Sequence, residues 1–344
     1  MLPGSLHTDP LLNSSRLSLL CMIFPKDLAG LARFILSPEC KSICILSGAG
    51  VSCASGIPDF RSPGGMYDTL QPGLITARKE ERALMSIDPT YVVEKNMFLA
   101  NSFPYLEVRR PFILGTESKK WKATIAHRFA ELLHTKTGKL TRVYTQNIDG
   151  LDHQCEKIPE DMIVNVHGTL AEVACESCGA EHSFTEFCRQ VRNNIKDIYG
   201  VDSDAPATST PIVCKSCGRA TVKPSTVLFG AGLPDEFFTK SELDMPSCDM
   251  LIVAGTSLVV SPANSLVHRV PNEAVRLIVN QENVGEELGI TYGVDGGRDY
   301  FMKGNCEEQF IKLIEELGWL GELEEIAGDL PEESARLVKK KLKA

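Results

Sequence analysis

Four cysteines stand in two matched pairs, Cys175-Glu-Ser-Cys178 and Cys214-Lys-Ser-Cys217, each followed at once by glycine. That spacing is a metal knuckle, in which a tight turn carries backbone N–H groups up to thiolate sulfur. Four thiolates make a closed tetrahedral site with no position left for water, so a single structural zinc ion is expected. A redox role is the lesser reading, because two matched pairs occur and neither opens a thioredoxin-like unit. His182, close to the first pair, reads as a solvated surface histidine. His167 follows the apolar run Met162-Ile-Val-Asn-Val166. A histidine there is either a hydrogen-bonded packing residue or a general base. Gln146-Asn147-Ile148-Asp149 ends eighteen residues before His167, and its polar groups fit an ordinary turn or a ligand site. Far upstream, Gly48-Ala49-Gly50 can bring backbone N–H groups against a pyrophosphate, although Cys53 stands where G-x-G-x-x-G has its third glycine. Taken alone, the turn also fits a plain strand-to-helix connection. The loop Gly56-Ile-Pro-Asp59-Phe60-Arg61-Ser62 follows, with an aromatic ring and a guanidinium suited to an anionic, ring-bearing ligand.

These groups need strands to hold them. Ser42–Leu46, Met250–Ala254 and Val275–Val279 are short apolar runs that end in small or polar residues, and Thr141–Thr145 and Met162–Val166 read as two more strands with polar ends. Runs of this kind are buried on both faces of a parallel sheet, and ligands of such sheets sit at the carboxyl ends of the strands. One shared crevice is therefore expected. Apolar residues at helical spacing predict helices over Leu28–Leu36, over Phe184–Ile198 packed on the metal module, and over Phe310–Leu317 with Gly318 at its cap. Asp202–Pro211 is polar and proline-rich, and is expected to be a mobile loop.

At 344 residues and 43% hydrophobic content the chain is long enough for one large domain with a sizeable insertion. A net charge of −9 argues against a nucleic-acid binder that works by phosphate neutralisation and suits basic peptide partners. Scattered cysteines point to a reducing compartment, so a cytoplasmic or nuclear location is expected. The run Leu17–Phe24 falls far short of the roughly 20 residues that span a bilayer, and reads as a short strand or helix rather than an anchor, signal or transit peptide. The tail ending Lys339-Lys-Lys-Leu-Lys343 reads as a solvated helix face or loose terminus, with nuclear targeting as the lesser reading.

Gly48-Ala-Gly-Val-Ser with Gly56-Ile-Pro-Asp-Phe-Arg-Ser62 resembles the first signature of the sirtuins, the NAD-consuming protein deacylases, and Thr145-Gln-Asn-Ile-Asp-Gly-Leu151 resembles the second. The resemblance continues through Val166-His-Gly168, both cysteine pairs, Gly255-Thr-Ser-Leu258, Val279-Asn-Gln-Glu282 and Gly304-Asn-Cys306, covering roughly residues 28 to 318. It implies an α/β fold: a Rossmann-like parallel sheet with an inserted smaller zinc-binding module, about residues 171–224, and a helical segment. Residues 1–27 would be a loose extension and 319–344 a tail.

The implied activity is NAD-dependent protein-lysine deacetylation, as in the eukaryotic deacetylase branch, with NAD as cosubstrate and acetylated lysine peptides or proteins as partners. The acyl oxygen would attack C1′ of the nicotinamide ribose, expelling nicotinamide and forming an alkylimidate. His167, the family's general base, would then activate the ribose, and water would complete transfer to O-acetyl-ADP-ribose. The family's roles place Gln146 and Asn147 at the nicotinamide ribose and Asp149 at the carboxamide, with Ile148 among them. Gly48, Ala49 and Gly50 would surround the pyrophosphate, with Asp59, Phe60 and Arg61 on the flap. Gly255, Thr256 and Ser257 would meet phosphate, and Asn280, Gln281, Glu282 and Cys306 the adenosine end. Val227, Phe229 and Gly230 would bind the peptide, beside Ala231 where many relatives have glutamate. The desuccinylating branch carries a tyrosine and an arginine in its acyl pocket. Arg82 and Tyr91 lack that spacing, so acetyl-lysine is expected to be preferred over succinyl-lysine. Competing functions are a mono-ADP-ribosyltransferase, a noncatalytic zinc adaptor, which would not need His167, and a dehydrogenase, disfavoured by the broken glycine fingerprint.

Overall fold

The structure is a computed structural model that describes residues 24–57, 65–294 and 296–343. Most of the run Leu17–Phe24, and Asp59, Phe60 and Arg61, lie outside the described residues.

Six strands form the main sheet: β1 (Ile43–Ser47), β2 (Leu140–Thr145) and β3 (Ile163–Asn165), and, after a second sheet, β7 (Met250–Ala254), β8 (Val275–Asn280) and β9 (Asp299–Lys303). Their order is β3-β2-β1-β7-β8-β9, and every pairing is parallel. Between the two halves lies a three-stranded sheet of β4 (Gly168–Cys175), β5 (Glu181–His182) and β6 (Val222–Thr226), ordered β5-β4-β6. The α/β reading with an inserted module therefore holds.

All five residues of β1 and of β7 are buried, as continuous apolar runs in a doubly covered sheet must be. Successive side chains point to opposite faces. Ile43 and Ile45 join a core with α1 (Leu28–Leu36), α5 (Ile125–Thr137) and α9 (Cys306–Glu316), while Cys44 and Leu46 join one with α7 (Asp235–Asp244) and α8 (Leu266–Arg269). A third core sits between the small sheet and α2 (Lys79–Ile87), α3 (Lys95–Ala100), α4 (Phe103–Glu117) and α6 (Phe184–Asn194). The edge strand β9 escaped the sequence reading. Its placement depends on Arg276 of β8, buried and forked onto the Asp299 carboxylate, with one of the two contacts at 2.7 Å.

Three expectations need correction. Among the described residues, two short 3-10 turns, Ala49–Val51 and Cys53–Ser55, follow β1 in place of the helix of a strand-to-helix connection. The expected mobile loop has no regular structure, yet it is pinned: Asp202 pairs with Arg110 at 2.6 Å, and the Ser209 hydroxyl donates to Glu107 at 2.6 Å. His182 is half-buried within β5 opposite Val173, not solvated.

The tail is docked rather than loose. It forms α10 (Leu320–Glu325) and α11 (Glu332–Leu342), and Leu323, Leu330 and Val338 enter the core with α1, α5 and α9. The solvated helix-face reading holds for Lys339 and Lys340, whereas Lys341 is half-buried and pairs with Glu315 of α9. Buried Glu307 accepts the N–H groups of Ile125 and Ala126, capping α5, and also the Ser334 hydroxyl of α11. Because Leu323 is fully buried, Leu323→Ala is expected to lower stability by about 3 kcal/mol. A denaturation midpoint indistinguishable from the parent's would mean that the tail does not dock in solution.

Candidate functional site

The strand order reverses between β1 and β7, the point at which an open parallel sheet leaves a crevice. Two backbone bonds close the base of that point: Gly48 N–H donates to Ala254 O at 2.9 Å, and Gly50 N–H to Gly255 O at 2.8 Å. The approach leaves no room for side chains. A methyl group on Gly50 would lie 2.7 Å from Gly255 Cα, and one on Gly48 would lie 2.7 Å from Thr256 Cβ. These glycines are thus needed by the packing of two loops, whatever they bind.

A crevice of about 520 Å³ opens above them. Gly48, Ala49, Gly50, Gln146, Asn147, Ile148 and His167 line it from one half of the sheet, and Gly255, Thr256, Ser257, Asn280, Gln281, Glu282 and Cys306 from the other. Val227, Phe229 and Gly230 also line it, as does Ala231. Asp149 does not. It is held below by the Ser52 hydroxyl at 2.7 Å and Leu151 N–H at 3.0 Å, and burial pushes its carboxyl above the ordinary aspartate value against the pull of His127.

The amides are fixed by the sheet itself. Gln146 Nε2 donates to Thr256 Oγ1 at 3.0 Å, bridging the ends of β2 and β7, and Asn147 Nδ2 donates to Gly48 O at 3.1 Å. His167 sits between β3 and β4, where Gly168 takes a left-handed φ of +75° and packs directly on Ser225 O. The His167 carbonyl accepts Val227 N–H at 2.8 Å, tying it to the segment after β6. Its Nδ1 lies 3.0 Å from Gln146 O and donates there, which leaves Nε2 as the nitrogen with the lone pair. Nε2 is buried and has no hydrogen-bond partner among the described residues. Burial lowers the His167 pKa below the ordinary histidine value, with the Gln146 carbonyl partly opposing it. The imidazole is therefore neutral near pH 7 and able to take a proton.

The four cysteines gather as one cluster, with every Sγ within 4.8 Å of the others. Cys175 and Cys217 sulfurs are 3.6 Å apart, and Cys178 and Cys214 sulfurs 3.8 Å. Thiolates at about 2.3 Å from a tetrahedral zinc stand about 3.8 Å apart, so the cluster fits that ion. Both knuckles turn on left-handed glycines, Gly179 and Gly218. Burial works against the Cys175 thiolate, but the Thr221 hydroxyl and the Ser177 and Cys178 N–H groups bring its pKa down to about 6. An Ala180 N–H favours the Cys178 thiolate, yet desolvation and the neighbouring sulfurs push it up to about 12. A cation resolves that conflict. His182 is not part of the cluster.

Several crevice residues were missed from sequence, notably Tyr67, Val93, Tyr105, Arg109 and Thr226. The signal that existed was the four-residue spacing of Tyr105 and Arg109 inside an otherwise apolar helix face. Arg82 is elsewhere, with its guanidinium on Ile75 O.

The family model described as "Sir2 family" matches residues 48–262. The NAD-dependent protein deacetylase sirtuin-2 of Danio rerio is 36% identical over 313 residues, spanning 87% of this chain and 74% of that protein. The NAD-dependent protein deacetylase hst2 of Schizosaccharomyces pombe is 33% identical over 302 residues, spanning 88% of this chain and 79% of its own. A solved structure described as "Structural Basis for the Mechanism and Regulation of Sir2 Enzymes" superposes with a TM-score of 0.62 at 26% identity, covering 85% of this chain and 98% of that one.

Proposed function

The chain belongs to the Sir2 family, and on that basis we propose that it is an NAD-dependent protein-lysine deacetylase that consumes NAD as a cosubstrate. Its partners are acetylated proteins. The observation that carries the chemical reading is the neutral, buried His167 imidazole in the same crevice as the Gly48–Gly50 turn. NAD supplies the ribose that receives the acyl group and the nicotinamide that leaves. The chain's own residues position and deprotonate. Gln146 and Asn147, held by the sheet ends, orient the ribose; His167 Nε2 takes the proton of a ribose hydroxyl; apolar walls such as Ile148 and Leu228 keep water from the reacting carbon. Asp149 acts from below, through Ser52 and Asn147, rather than by lining the crevice. The extended segment Val227–Gly230 receives the peptide, and Ala231 removes a carboxylate from its rim. Zinc would be held by Cys175, Cys178, Cys214 and Cys217 and would shape the small sheet without entering the reaction.

We take residues 28–318 as the catalytic unit, with about 171–224 as its zinc module. Among the described residues no helix is long and apolar enough to cross a membrane, and a cytoplasmic or nuclear location fits the free thiols of the chain.

The test is nicotinamide release from NAD in the presence of an acetyl-lysine peptide, read together with loss of the acetyl group. Equimolar release and deacetylation are expected. Label from adenine-labelled NAD retained on protein, without deacetylation, would move the assignment to an ADP-ribosyltransferase, and nicotinamide reduction would move it to a dehydrogenase. Gly50→Ala must push apart a pair of backbones that have no flexible side chain to yield, so KM for NAD is expected to rise about tenfold or more. Steady-state titration of NAD at saturating peptide checks this, and an unaltered KM would remove the turn from the nucleotide site.

A further inference from the structure

A second cavity, of about 410 Å³, shares no lining residue with the crevice. It opens where the start of α4 meets the cysteine knuckles: Ser102 and Phe103 line it from the helix, and Ser177, Arg219 and Thr221 from the knuckles. Ser102 is the N-cap of α4, a helix of 15 residues, and its carbonyl accepts Leu106 N–H at 3.1 Å. Its hydroxyl, however, does not cap the helix and has no other hydrogen-bond partner among the described residues, although Ser102 is only 7% exposed. A hydroxyl so placed is available only to what enters the cavity. The Phe103 N–H is taken by Asn101 Oδ1 at 3.2 Å and Pro104 has none, so the helix start attracts an anion through its dipole, with Ser102 as the direct donor.

The charge of the wall sets the sign of the occupant. Arg219 is the single charged residue lining the cavity among the described residues, and its side chain has no ion-pair or hydrogen-bond partner among them. In a chain of net charge −9, no described carboxylate reaches this wall. Glu81, which accepts Asn101 Nδ2 at 3.0 Å, is already paired with Arg78 at 2.6 Å. A guanidinium offers a planar fork of donors to an oxyanion and keeps its charge at any ordinary pH. Leu99 and Phe103 add apolar surface beside these donors, and a volume of this order is that of a small-molecule site. We infer that the cavity binds a small organic oxyanion, a phosphate monoester or carboxylate on an apolar body, with its anionic head between Arg219 and Ser102 and its body against Leu99 and Phe103. Such an occupant ties the second knuckle to the turn of α4 that also sends Tyr105 to the crevice wall.

The test is titration calorimetry of the full-length, zinc-loaded chain with phenyl phosphate, benzoate and the neutral benzyl alcohol, each with and without excess ADP-ribose to occupy the crevice. At least one of the two anions is expected to bind one per chain, at least tenfold more tightly than benzyl alcohol and unaffected by ADP-ribose. Which anion binds tells a phosphate site from a carboxylate site. Arg219→Met is expected to weaken that binding at least tenfold, Ser102→Ala at least threefold, and Arg219→Lys to keep part of the affinity. Anions that bind no more tightly than benzyl alcohol overturn the inference. So does an affinity that ADP-ribose abolishes, which would place the anion in the crevice, or one that either Arg219→Met or Ser102→Ala leaves unmoved. The readout is binding, so it stands apart from whether the chain deacetylates. The wild-type comparison needs no variant, so it decides the matter even if a substituted chain does not fold.

Discussion

Replacing His167 with alanine is expected to lower kcat/KM for an acetyl-lysine peptide by about a hundredfold to ten-thousandfold, the usual contribution of a positioned general base. The imidazole makes a single hydrogen bond among the described residues, to Gln146 O, so the variant should fold and lose only about 1 kcal/mol of stability. The pH dependence is a sharper check. The base works as the neutral imidazole, so activity is full above its folded pKa and falls as pH drops through it. Burial lowers that pKa, so the acid limb of kcat/KM should lie below 6.5, with more than half of the activity retained at pH 6.5. The residual activity of His167→Ala should lack this limb. A limb centred above 6.5, or turnover indifferent to the substitution, would take the role of base away from His167.

Loss of one zinc ligand should be as damaging by a different route. Cys214→Ala is expected to drop bound zinc from about one ion per chain to a small fraction, and to cost most of the turnover. The reason is mechanical. β4 runs from Gly168, the neighbour of His167, to Cys175 in the first knuckle, and its partner β6 leads directly to the Val227 N–H that holds the His167 carbonyl. Freeing the cysteine end lets that ladder open and moves the base. Metal content, far-UV circular dichroism and activity should therefore fall together on chelation. With cobalt in place of zinc, the tetrahedral thiolate spectrum should not change on adding NAD and peptide, because four sulfurs leave no open position. A spectrum that shifts with substrate would put the metal in the reaction.

The strands that build the crevice were readable because they are buried on both faces. Ile43–Leu46 and Met250–Ala254 have nowhere to place a polar side chain, so burial writes itself as an unbroken apolar run, and Val275–Val279 interrupts the pattern only at Arg276, whose charge Asp299 meets. Strand β9 gave no such signal. It is an edge strand with half-buried residues, and it is fixed by the long-range ion pair of Asp299 with Arg276. The pinned loop after Lys196 misled for a related reason. Its polar composition suggested mobility, while Arg110 and Glu107 on α4, some ninety to a hundred residues earlier, supply the anchors.

The chemical groups themselves are written in the chain: the cysteine knuckles, the glycine turn, the amides, His167 and the family they compose. Each depends on local spacing, and local spacing is what a linear chain records. How those groups face one another came from the folded arrangement. Folding tied Asp149 to the Ser52 hydroxyl, turned the tail into a docked helix through Glu307, and brought one face of α4, with Tyr105 and Arg109, to the crevice wall. Those outcomes depend on which distant surfaces must be buried together, and so on contacts between residues that the chain does not place side by side.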